Sequence, residues 1–169
     1  MKPKAFTLKN PATLRALITP CDISQAYDKR FCSDPHPLMK RFKGLWDTGA
    51  SASMISEKVV KELGLHPIRQ IETHHAQGTT MSNLYYINIV IPNGIEIINI
   101  AASEGKLHDF DMLIGMDVIA LGDFALTHKN DHTVFSFQIP ATHEYDFVKQ
   151  IKHEEEGKAH KKKKNKRNR

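Results

Sequence analysis

Residues 81–91 contain the apolar run LYYINIVI, and residues 95–101 read IEIINIA; between them stands Pro92-Asn93-Gly94. Pro-Asn-Gly halts regular structure and reverses the chain, so the two flanking runs are read as strands of one hairpin. The same grammar recurs along the chain. Residues 14–26 (LRALITPCDISQA) are apolar or β-compatible and run into the turn chemistry of Ser33-Asp34-Pro35-His36-Pro37; residues 38–47 (LMKRFKGLWD) form a second strand. Residues 68–75 are a strand separated from the next by Gln77-Gly78, residues 110–114 a short apolar strand ending at Gly115, and residues 133–139 (TVFSFQI) an alternating closing strand. Helical spacing is confined to residues 53–63, closed by Gly64 with Pro67 beyond it, and to one or two turns over residues 117–121. The pattern predicts a mostly β domain built of hairpins in series.

Size and charge narrow the class. A chain of 169 residues, 40% hydrophobic, is long enough for one ordinary core and too short for two. The expected division is an N-terminal extension over residues 1–13, one domain over residues 14–140, and a charged C-terminal extension over residues 141–169. The formal net charge is +5, yet residues 1–140 carry 14 Lys+Arg against 14 Asp+Glu, so all of the excess lies in the extension. The domain offers no net field for nucleic acid. Within the extension, EYDFVKQIKHEEE is compatible with helix. The stretch beginning at Lys158 and ending at Arg169 holds eight basic residues, no acidic ones and no large apolar side chain, which predicts disorder. No segment approaches the roughly 18 apolar residues of a membrane span, and the basic, polar beginning MKPKAFTLKN lacks the apolar stretch of an export signal; a cytoplasmic protein is expected. Cys21 and Cys32 lack the paired spacing of a zinc site and are read as reduced thiols. His74 and His75, adjacent on a strand, point to opposite faces, so with His66 they make no ligand set; no metal and no cofactor are expected.

The chemically informative segment is Leu45-Trp46-Asp47-Thr48-Gly49-Ala50-Ser51, an apolar strand that delivers an acid into a tight turn. Asp111-Met112-Leu113-Ile114-Gly115 follows downstream, two apolar residues before a Gly and then a short helix. Asp-Thr-Gly alone also reads as an Asx-type turn. Taken with Ala-Ser after it and Leu113, Ile114 and Gly115 at this distance, the segment resembles the active-site loop of retropepsin-like aspartic peptidases, the single-lobed retroviral type with bacterial relatives. The resemblance covers about residues 14–140. It implies an all-β, pepsin/retropepsin-like closed barrel with one or two short helices, acting as a homodimer on peptide or protein substrates.

Chemistry explains the homodimer. This route to peptide hydrolysis needs one carboxylate to take a proton from water and a second, protonated, to give one to the carbonyl oxygen. The chain has no second Asp-Thr-Gly or Asp-Ser-Gly. Asp47 is therefore expected to meet Asp47 of another copy across a two-fold axis. By the same resemblance Thr48 would hold the opposite loop, Gly49 would bring its N–H to the carboxylate, Ala50 would continue the loop, Ser51 would bond the outer carboxylate oxygen and Gly115 would give the turn room. Ala76, Gln77, Gly78 and Thr79 occupy the place of the hairpin flap, with Gly78 as candidate tip. Met116 is a departure, because retroviral members carry there an Arg that braces the dimer. Two alternatives stand beside the peptidase: a peptide-binding or scaffolding module on the same fold, and a factor that makes weak contact with nucleic acid or an anionic surface through residues 158–169.

Overall fold

Six strands close on themselves because each finds a partner on both sides. The computed structural model describes residues 2–75 and 78–167. Strand β2 (Leu17–Gln25) pairs antiparallel with β3 (Met39–Trp46), and β3 runs parallel to β8 (Met112–Ile114). β8 lies antiparallel to β4 (Met54–Ser56), and β4 is parallel to β7 (Ile95–Gly105). β7 then pairs with β6 (Gly78–Ile91), whose later residues 87–90 pair back onto residues 22–25 of β2. That last ladder shuts the barrel and leaves no free edge within it. Among the described residues β5 (Arg69–His75) pairs with β6 alone, extending the sheet as a hairpin outside the closed ring.

Alternation in the strands decides what fills the ring. β2 buries Leu17, Thr19, Cys21 and Ile23 in strict succession, and Ile55, Ile87, Ile89, Ile91, Ile95, Met112 and Ile114 join them from the other walls. The branched side chains suit a pleated, two-sided packing surface. A second sheet, β1 (Lys4–Asn10), β10 (His132–Ile139) and β9 (Asp123–Lys129), is antiparallel in the order β1-β10-β9. Its Phe6, Phe135, Phe137 and Phe124 gather around Trp46 at ring-centroid distances of 4.9–6.1 Å. The indole N–H of Trp46 donates to the Thr19 hydroxyl at 3.0 Å, which satisfies its polar atom in the core.

Several boundaries differ from those the sequence suggests. Residues 1–13, expected as an extension, contain β1, which pairs with β10 over its whole length and sends Phe6 into the core. The helical pattern of residues 53–63 begins four residues late, at Glu57. Met54–Ser56 is the short barrel strand β4, and α1 (Glu57–Leu63) starts only where the Ser56 hydroxyl accepts the Val59 N–H. It ends as expected at left-handed Gly64. α2 (Met116–Ile119) follows β8 directly. β9 went unread from the sequence; it joins β10 through Asn130-Asp131, both at positive φ, as a two-residue type I′ hairpin turn requires. At the C-terminus α3 (Phe147–Arg167) is helical well past Lys158, where composition predicted disorder. Asp146 starts it by accepting the Lys149 N–H, and Lys-rich sequence has good helix propensity.

Candidate active site

The loop that carries Asp47 is held by the barrel on one side and by α2 on the other. Residues 44–46 of β3 lie alongside residues 112–114 of β8. The Asp47 N–H continues that ladder with a 3.0 Å bond to the Ile114 carbonyl, so the acid leaves the barrel wall with a fixed backbone. The chain then reverses at once. Gly49 donates its N–H to Asp47 Oδ1 at 2.8 Å, and the Ala50 N–H approaches the Asp47 carbonyl at 3.3 Å. A Cβ on Gly49 would stand 3.1 Å from Asp47 Oδ1, tighter than most real contacts, which is why the turn favours glycine.

The return of the loop explains Gly115. The Met116 N–H donates to the Ala50 carbonyl at 2.8 Å, drawing the start of α2 onto the loop. A side chain at Gly115 would place its Cβ 2.6 Å from the Ala52 carbonyl carbon and 2.7 Å from its oxygen, both rigid backbone. Leu113 and Ile114 supply the wall beneath, with Ile114 buried. The backbone tie at Met116 is independent of the side chain that replaces the retroviral Arg.

Two further residues complete the support, and sequence reading passed over both. Ser53 is fully buried, and its hydroxyl donates to Asp117 Oδ1 at 2.8 Å while accepting the Gly115 N–H at 3.1 Å. The Ser53 N–H donates to Asp117 Oδ2 at 3.1 Å, and Asp117 Oδ1 also accepts the Val118 N–H at 3.0 Å. Both Asp117 oxygens thus serve the loop. The available signal was one of register: a Ser six residues after Asp47 and an Asp two residues after Gly115.

The Asp47 carboxylate itself is half-buried, and Thr48 and Gly49 are exposed. Among the described residues its side chain is bonded only within its own turn. Thr48 and Ser51 are exposed, and among the described residues no hydrogen bond joins Ser51 to the carboxylate. The candidate flap is a hairpin, with His75 opposite Gly78 and His74 opposite Thr79; Gly78 has a φ of 127°, open to glycine and little else. Ala76 and Gln77 lie outside the described residues. The hairpin's root is tied to the loop: Leu84 pairs with Ser103, whose N–H donates to the Ser53 carbonyl at 3.2 Å.

The other end of the β3–β8 pair is a contrasting acidic position. Asp111 accepts the Lys43 N–H at 3.0 Å and the Lys58 ammonium at 3.0 Å, and its side chain is 13% exposed. The bond and charge of Asp111 raise the Lys58 pKa. A cleft of about 540 Å³ lies here, lined by Lys43, Lys58, Lys106, His108 and Asp111 among others; Asp47 is not part of it. Elsewhere burial pushes the Cys21 thiol far up, with the neighbouring Asp22 charge adding to the effect, and Cys21 and Cys32 are both free. No helix among the described residues is long and apolar enough to cross a membrane.

A family model described as gag-polyprotein putative aspartyl protease matches residues 39–120, the span from β3 through α2. Among solved structures, the chain is similar to a retropepsin-like aspartic protease from Rickettsia conorii, with a TM-score of 0.49 and 17% identity over 82% of this chain and 96% of that one. It is also similar to the retroviral protease-like domain of Ddi1 from Leishmania major, with a TM-score of 0.45 and 17% identity over 73% of this chain and 95% of that one. No curated protein matches the sequence.

Proposed function

We propose that this chain, which resembles the retropepsin-like aspartic proteases and has their single-lobe, closed-barrel fold, is an aspartic endopeptidase whose active form is a homodimer. One observation carries the reading. Asp47 stands on a turn rigidly tied to the barrel, yet its carboxylate stays half-open to solvent with Thr48 and Gly49 exposed beside it. A carboxylate needed only for structure would be consumed by partners, as that of Asp111 is. Half of a two-carboxylate site looks like this when its other half comes from a second copy.

In the dimer, two Asp47 carboxyls share one proton because like charges at such proximity resist joint ionisation. The ionised partner takes a proton from the attacking water; the protonated one donates to the carbonyl oxygen of the scissile bond. Peptide hydrolysis then falls off on both sides of an acidic optimum, since only the singly protonated pair works. In this reading the substrate cleft lies between the two copies, where the Asp47 turns meet. The β5–β6 hairpin is the element that covers the bound peptide.

The test is dilution. Activity per subunit on an unstructured peptide falls as concentration drops through the dimer–monomer transition seen by sizing. Constant specific activity in a demonstrated monomer would overturn the proposal.

A further inference from the structure

The fully buried Ser53 hydroxyl and the carboxylate of Asp117 join two stretches of backbone far apart in sequence: the end of the Asp47 loop at Ser53, and Gly115 with the first turn of α2 that follows it. Ser53 uses every polar group it has. Its hydroxyl gives to Asp117 and receives from Gly115, its N–H gives to Asp117, and its carbonyl receives from Ser103. The network fixes where Gly115 sits, and Gly115 packs against the Ala50 and Ala52 carbonyls with no room for a methyl group. One residue further, Met116 holds the Ala50 carbonyl and Ile114 holds the Asp47 N–H.

We infer that Asp117, acting through Ser53, is a positioning residue for Asp47: it sets the height and tilt of the Asp47–Gly49 turn at the barrel mouth. This rests on reading Asp47 as the catalytic acid. The physical need is plain, because two carboxyls must meet within hydrogen-bond distance across a two-fold axis. A shift of either turn is therefore doubled in their separation, and misplacement by about 1 Å is enough to cost on the order of a hundredfold in rate. Asp117 ties the loop within its own subunit. Its two acceptor oxygens match the two donors of Ser53, which an amide cannot do, since its NH2 would face the Ser53 N–H donor to donor.

The decisive variant is Asp117→Asn, assayed on a peptide at concentrations where sizing shows the dimer, beside wild type, Ser53→Ala and Asp47→Asn. The expected result is a kcat about tenfold or more below wild type with KM within about twofold. Ser53→Ala and the double variant should lose no more than the worse single change, because both act through one contact. Asp117→Asn with kcat within about twofold of wild type, or a loss lying wholly in KM or in dimer affinity, overturns the inference. Should Asp117→Asn not fold, hydrogen exchange on the wild-type protein decides: the Ser53, Gly115 and Met116 amides exchange as slowly as those of the barrel strands, and exchange at exposed-loop rates would overturn the positioning role. Asp47→Asn separates the two ideas. If it stays active, the catalytic reading fails; if it is dead while Asp117→Asn is unimpaired, only the positioning role is lost.

Discussion

Asp47 and Asp111 sit at opposite ends of the same parallel strand pair, one just after β3 and the other just before β8, and they have opposite fates. Asp111 is closed off: Lys58 and the Lys43 N–H use its oxygens, and little of it reaches solvent. Asp47 is held through its backbone while its carboxylate remains accessible. The lesson concerns where a fold applies its grip. Gripping a side chain makes it structural, whereas gripping the main chain beneath it presents the side chain for work.

The sharpest way to break this comparison is to make the same change at both ends. Asp47→Asn should lower peptide hydrolysis by at least about a thousandfold with dimer and fold intact, since it removes the ionisable group and little else. Asp111→Asn should leave kcat within a few fold. Comparable losses at both positions would show that the two acids are not divided into chemistry and structure.

Next in size is Gly115→Ala. The new methyl meets unyielding Ala52 backbone, so the variant should lose about 3 kcal/mol in denaturant unfolding, or keep its stability by displacing the Asp47 loop and lose activity instead. A variant unchanged in both would contradict the close packing described. Asp111→Ala should cost about 1.5–3 kcal/mol, the value of hydrogen bonds to a charged acceptor, with its midpoint shift read by urea unfolding. The smallest effect is chemical. Between the two acids the strand pair is sealed, with the Cys21 thiol fully buried 3.8 Å from the Met112 sulfur, so a thiol reagent should label Cys32 alone in the native protein and both cysteines in denaturant. Rapid native labelling of Cys21 would mean that the wall opens.

Features that place strict demands on the backbone were legible in the sequence. Asp47-Thr48-Gly49 and Leu113-Ile114-Gly115 announce a tight turn and a close approach, and the structure shows the steric reason at each glycine. The two long β6 and β7 runs around Pro92-Asn93-Gly94 were equally plain, because the end of β6 is mostly buried and β7 sends Ile95, Ile97 and Ile100 into the core. What stayed hidden depends on partners remote in sequence. Ser53 and Asp117 are ordinary polar residues until folding brings positions 64 apart into contact. β1 and β9 are edge strands of the small sheet; β1 buries Phe6 alone and β9 buries no residue fully, so neither carries the run of large apolar positions by which a strand is recognised. β4 is three residues long and merges into the helical pattern of α1.

The way β6 is shared between hairpin and barrel has a mechanical consequence. Its residues 84–91 are bonded into the ring through β7 and β2, while residues 78–84 run out with β5 as their neighbour, an arm of roughly 20 Å at ordinary strand rise. Such a member is a cantilever with its clamp at Leu84, which is buried and lies beside Ser103. Load applied along the arm is delivered as torque at that clamp, and the first rigid piece to feel it is Ser103, whose N–H grips the Ser53 carbonyl. A peptide pressing on the hairpin therefore pulls on the same beam that seats the Asp47 loop.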